Sequence, residues 1–267
     1  MPQRPLLVLS TALVLVLTLA SCSDKADSAT AAPASSSTTT ASTVPPTTTT
    51  TMQRRYAGQM PRFAAAPPAE KMAPATGAAP MLSRIETTQP VAFLTIDDGF
   101  VQHPEALQLL KEAGIPVSLF LVSGAVDDNP QFFSDLQANG ATIEAHTIDH
   151  EILKGRSYDF QHNEICGSAD QLAQLFGARP TLFRAPGGSY DQTTLQAAAD
   201  CGMKGVFFWR EAVNNGELQF QRPDHVVHPG DIILMHFRDT YVEDFLAAVN
   251  GIAASGLTPA RLEDYMG

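Results

Sequence analysis

Val91-Ala92-Phe93-Leu94-Thr95-Ile96-Asp97-Asp98-Gly99 decides how the chain is read: an apolar run suited to a buried strand ends in two adjacent carboxylates and a glycine. Successive strand side chains point to opposite sides, so Asp97 and Asp98 are expected to serve different partners, and Gly99 lets the backbone turn away. Taken alone, the stretch also fits a strand closing in an ordinary Asp-Gly turn. Three later stretches repeat its grammar.

Thr142-Ile143-Glu144-Ala145 runs into His146-Thr147-Ile148-Asp149-His150, Thr181-Leu182-Phe183 into Arg184-Ala185-Pro186-Gly187-Gly188, and Asp231-Ile232-Ile233-Leu234-Met235 into His236. Each short apolar strand delivers ionisable side chains at its C-terminal end, where parallel α/β folds place their chemistry. A carboxylate with two imidazoles suits a divalent ion, since neutral His nitrogen and Asp oxygen are both ligands of borderline cations.

With Thr95-Ile96-Asp97-Asp98-Gly99, His146-Thr147-Ile148-Asp149-His150, Arg184-Ala185-Pro186 and Leu234-Met235-His236 in this order, the chain resembles the NodB-homology polysaccharide deacetylases, carbohydrate esterase family four. The resemblance implies a deformed, incomplete (β/α) barrel and hydrolysis of acetyl groups, N-acetyl before O-acetyl, on a cell-wall or extracellular polysaccharide. It implies that Asp98, His146 and His150 hold a divalent metal, zinc first, with cobalt, manganese or nickel as alternatives. Asp97 would be the general base, His236 the acid that protonates the departing amine, Arg184 the residue orienting Asp97, and the Gly187 N–H an oxyanion donor.

The chain departs from the family's pattern in places. Phe100 stands where proline is usual, and Gly187 where an aromatic is common. Trp209-Arg210-Glu211-Ala212-Val213-Asn214-Asn215-Gly216 resembles the fourth motif without its aspartates, with Ala212 and Asn215 near their places. Glu211 is the expected substitute partner for Arg184. The altered motif keeps two other readings open: a catalytically weak carbohydrate-binding surface lipoprotein that retains the metal site, and a surface spacer. Intact Asp97 and His236 favour the enzyme, because binding alone needs neither base nor acid.

The amino terminus reads differently. Arg4 precedes an apolar run to Ala20, short for a membrane span but fit for a signal-peptide core. Leu19-Ala20-Ser21-Cys22 resembles a bacterial lipobox, which implies lipidation of Cys22 and an exported, membrane-anchored protein. Residues 1–22 are thus expected as signal peptide and lipobox, and 23–79 as a Ser/Thr/Ala/Pro-rich tether whose Ala/Pro-rich end is a loosely ordered lead-in. Residues 80–267 are expected as one catalytic domain, a monomer. A net charge of −11 over 267 residues argues against nucleic-acid binding, which needs a basic footprint.

Within the domain, helices are expected over 104–113, 130–139, 160–176, 193–201 and 241–255, alternating with strands in βαβ order. With Cys22 lipidated, Cys166 and Cys201 remain as an even pair on consecutive helices, either disulfide-bonded or two separate buried thiols. His103, His162, His225 and His228 match no motif and are read as structural or solvated.

Overall fold

The structure is a computed structural model that describes residues 55–267. Cys22, the signal segment and most of the tether lie outside the described residues. The strands are β1 (Met81–Leu82), β2 (Val91–Asp98), β3 (Val117–Leu121), β4 (Ala141–Ala145), β5 (Leu182–Phe183), β6 (Gly205–Phe207), β7 (Glu211–Asn214), β8 (Glu217–Phe220), β9 (Ile232–His236) and β10 (Thr258–Pro259). The helices are α1 (Ala106–Ala113), α2 (Ser123–Val126), α3 (Pro130–Gln137), α4 (Tyr158–Phe176), α5 (Gln192–Asp200) and α6 (Tyr241–Ala254).

The strands pair in the order β1-β6-β5-β4-β3-β2-β9-β7-β8, with β10 beside the start of β2. Every pairing but the β7–β8 hairpin is parallel. The path curls into a half-barrel, and among the described residues β1 and β8 end it unjoined, giving the deformed, incomplete (β/α) barrel expected from the sequence.

Strand alternation sorts the core into two layers. Ala92, Leu94 and Ile96 of β2 pack into the cluster shared with helix residues such as Leu109, Phe133, Leu172 and Val249. Val91 and Phe93 face the inside of the curl with Phe120, Leu182, Phe207 and Ile232, where the C-terminal residues Leu262, Tyr265 and Met266 plug the floor. Thr95 and Asp97 continue this inward row, two residues apart on one face.

Local signals set the element ends. Gly114, at φ 61°, stops α1 in the left-handed conformation that glycine adopts cheaply, and Asp191 starts α5 through a reciprocal capping box with Thr194. The β7–β8 hairpin was not expected. Its turn is Asn215-Gly216, with φ 53° and 74°, the pair best suited to a tight hairpin.

Residues 55–79 also differ from the loosely ordered lead-in that their composition suggested. Tyr56 is buried, its N–H donates to Glu112 at 2.8 Å and its hydroxyl to Glu105 at 3.0 Å. Farther on, Met72 N–H bonds Tyr265 O at 2.8 Å and Ala79 N–H bonds Leu195 O at 3.0 Å. An extended Ala/Pro segment leaves its backbone groups free to bond outward, and here the barrel accepts them.

Candidate active site

Parallel register brings the motif residues to one rim. Asp97 pairs with His236 across β2 and β9, while Asp98, Leu121, Ala145 and Phe183 lie in one row across β2, β3, β4 and β5. The next residues of β4 and β5 are His146 and Arg184. Four strand ends thus deliver their polar groups at the same height.

Asp98 departs from the alternation rule. Its φ of 82° is left-handed, and it swings the carboxylate back towards its neighbour's partners. His146 Nε2 consequently lies 3.7 Å from Asp97 Oδ2 and 3.6 Å from Asp98 Oδ1, and His150 Nε2 lies 3.3 Å from the same Asp98 oxygen. The two carboxylates share one imidazole, where diverging strand side chains would have shared none.

The donor set fits a divalent ion. Asp98 Oδ1 is buried without a well-formed hydrogen bond, and one ligand atom each from Asp98, His146 and His150 lie within 4.8 Å of one another. Donors around a tetrahedral ion with bonds of 2.0–2.1 Å stand roughly 3.3 Å apart, the spacing seen here. His146 Nδ1 donates to Arg184 O at 2.7 Å, which turns the Nε2 lone pair to the cluster. Burial pushes the Asp98 carboxyl up, but the two facing imidazoles outweigh it and hold the group well below the usual range.

The loop bearing His150 is clamped. Thr147 and His150 have φ of 71° and 60°, the Thr147 hydroxyl accepts from His150 N–H at 3.0 Å, and Ser123 and Gly124 N–H donate to Thr147 and Ile148 carbonyls at 3.1 and 3.0 Å. Buried Glu164 on α4 accepts Ile148 N–H at 3.0 Å and Asp149 N–H at 3.3 Å. No motif marks Glu164; its only sequence signal is an acid on the buried face of a helix.

Arg184 is wholly buried and fully partnered. Nη1 donates to Asp97 Oδ1 at 2.5 Å and to Thr95 Oγ1 at 2.9 Å, while Nε and Nη2 reach Phe207 O and Phe208 O, each at 3.3 Å. Its guanidinium lies 4.3 Å from the centre of the Phe120 ring and 5.9 Å from that of Trp209. The side chain fixes Asp97 and the backbone carbonyl fixes His146, so one residue orients both halves of the site.

Glu211 is not a partner of Arg184, contrary to the expectation. As the first residue of β7 it pairs with Ile233 near the start of β9, three residues and roughly 10 Å of strand short of His236. There its carboxylate accepts from Arg222 Nη2 at 3.0 Å, and Arg222 also bonds Asp231. Thr95 and two carbonyls do the work assigned to Glu211, and Thr95 was legible as the residue two before Asp97.

His236 Nδ1 is buried without a hydrogen-bond partner. Burial pulls its pKa down, against the upward pull of Asp97 and Asp98. In the turn after β5, Gly188 N–H donates to Ala185 O at 2.9 Å and Ser189 N–H to Pro186 O at 3.1 Å; neither bond uses the Gly187 N–H. At Gly188 a β-carbon would stand 2.0 Å from the Phe208 ring, so this position has no room for a side chain. Away from the rim, Cys166 and Cys201 form a disulfide between α4 and α5, with Cα atoms 5.1 Å apart. A cavity of about 660 Å³ between Phe63–Ala69 and the far end of the barrel contains none of the site residues.

Known proteins resemble this chain in sequence and in fold. The polysaccharide deacetylase family model matches residues 84–206, and an uncharacterised protein of Streptomyces coelicolor is 37% identical over 192 residues, 70% of this chain and 77% of that protein. The chain belongs to the polysaccharide deacetylase family. Within that family, the peptidoglycan-N-acetylglucosamine deacetylase of Bacillus cereus is 26% identical over 162 residues, 57% of this chain and 75% of that enzyme. The solved structure of a family 4 carbohydrate esterase pseudoenzyme from Bacillus anthracis superposes with a TM-score of 0.62 at 20% identity, covering 73% of this chain and 70% of that one. At that identity the likeness speaks for the polysaccharide deacetylase fold alone.

Proposed function

We propose that the chain is a metal-dependent hydrolase that removes N-acetyl groups from a cell-wall or extracellular polysaccharide, with zinc the first candidate ion and cobalt, manganese or nickel as alternatives. The observation that carries this reading is the single rim where Asp97, tied to buried Arg184, borders the Asp98, His146 and His150 donors. Asp98, His146 and His150 would hold the divalent ion, which would supply Lewis-acid polarisation and water activation.

The remaining work falls to the chain. Arg184 occupies Asp97 Oδ1 and leaves Oδ2 facing the cluster, where it accepts the proton of the attacking water. The Gly187 N–H stabilises the developing oxyanion, and His236 gives a proton to the departing nitrogen. An N-acetyl substrate is supported by the name of the Bacillus cereus relative. The weakly catalytic binding protein loses its motive, because Arg184 finds its partners in Thr95 and backbone carbonyls despite the altered fourth motif.

The test is acetate release from N-acetylglucosamine oligomers, peptidoglycan and O-acetylated xylan, by metal-stripped protein before and after adding each ion. Release only with metal, and first from N-acetyl substrates, is expected; none under any condition overturns the reading. Export and lipidation at Cys22 belong to the same proposal, with the tether holding a monomeric domain at the cell surface. Cys22→Ser should shift the protein from the membrane to the aqueous fraction, and unchanged partition refutes the anchor.

A further inference from the structure

Two of the exposed large apolar side chains among the described residues, Phe100 and Ile152, lie on the loops that carry the cluster. Phe100 is 59% exposed and Ile152 48%. Both flank a polar site, where a ligand with an apolar surface would bury them favourably. The backbone leaves Phe100 little choice: a β-carbon on Gly99 would lie 2.8 Å from Val126 Cγ1 and 3.2 Å from Phe133, so the chain is pressed onto the helices just before Phe100. Its ring centre then stands 6.0 Å from that of His150, with the planes at 87°. Ile152, two residues after His150, has its Cδ1 3.6 Å from where a β-carbon of Gly187 would be. Phenylalanine and isoleucine thus border the donor cluster and the candidate oxyanion donor.

We infer that Phe100 forms a sugar-binding subsite: the phenyl face packs on the apolar face of an uncharged gluco-configured pyranose whose acetamido group enters the cluster. This rests on the deacetylase reading above and names the part of the substrate that is held. A sugar in van der Waals contact lies roughly 4 Å from the phenyl face. Its acetamido carbonyl carbon projects about 2.4 Å beyond the ring carbon that bears it, and the His150 ring stands 6.0 Å from that of Phe100, so a sugar on the phenyl face lies beside a ligand of the cluster. Equatorial hydroxyls leave the axial C–H face of such a ring bare, and an aromatic ring is its natural complement.

The full-length protein and its Phe100→Ala and Phe100→Trp variants are compared on an N-acetylglucosamine tetramer and on a small non-sugar acetyl ester. Phe100→Ala is expected to raise KM for the tetramer about tenfold, the effect of half-burying one ring. Its kcat, metal content and ester hydrolysis should stay within twofold of the parent, and Phe100→Trp should restore KM. Equal loss on both substrates would show that Phe100 merely positions His150, and an unchanged KM would show that it touches no sugar; either overturns the inference. Binding of the tetramer to metal-stripped protein, read by fluorescence of the single Trp209, separates the two proposals. Phe100-dependent binding without turnover by the metal-loaded parent sinks the deacetylase reading and keeps the subsite. Turnover with Phe100-independent binding does the reverse, and a parent that neither binds nor cleaves the tetramer overturns both.

Discussion

Two groupings of arginine and buried carboxylate among the described residues are built alike and poised differently. At the rim, Arg184 is wholly enclosed, and its partners are one carboxylate, one hydroxyl and two carbonyls. At the start of β9, Arg222 keeps a quarter of its side chain in water and serves two fully buried carboxylates, Glu211 and Asp231. Glu211 Oε2 is left without a bond there, and burial together with Asp231 raises the Glu211 pKa. The first cluster has one guanidinium for its one carboxylate and leaves Asp97 an oxygen to spare. The second has an acid too many and stores a proton. Only the first can take a proton from a substrate water; the second is structural.

The sharpest break would come at Asp97. Asp97→Asn should lower turnover about 10²- to 10⁴-fold, the range of a general base, while metal content measured by mass spectrometry stays at the parent level. Next, Arg184→Ala leaves Asp97 as an unpaired buried charge, and chemical denaturation should show a loss of about 3–5 kcal/mol. Arg222→Ala in the partly exposed cluster should cost less, about 1–3 kcal/mol, with turnover nearly unchanged.

The smallest expected effect sharpens the comparison furthest. Because the Glu211 pKa is raised in the folded state, its favourable contribution is fully present below the ordinary value of 4.5 and fades as pH rises through the folded value. Thermal melts should therefore show Glu211→Gln flattening the fall in stability over that window, with acetate release within twofold of the parent. A large loss of turnover in Glu211→Gln would return Glu211 to the active site and erase the distinction between the clusters.

The rim was legible because strand ends advertise themselves: an apolar run stopping at Asp97-Asp98, His146, Arg184 or His236 fixes height in a parallel sheet without knowledge of the strand order. What failed needed register or parity. Glu211 lies two residues beyond Trp209, yet β7 begins there and places it near the start of β9. Asn215-Gly216 announced the hairpin that fixes this register, had it been read as a turn. Phe120 reaches Arg184 only through the β2–β3 pairing that sets it opposite Asp97, and Glu164 through the fold of the His150 loop over α4. Neither contact is marked by a local sequence motif.

The bond between Cys166 and Cys201 closes a loop across a sequence separation of 35, and that loop carries Arg184, Pro186, Gly187 and Gly188. A protease that cuts once between residues 167 and 200 therefore opens a ring without releasing a fragment. The severed ends stay covalently attached to α4 and α5, and the segment that holds both Asp97 and His146 in place is not lost to the surroundings.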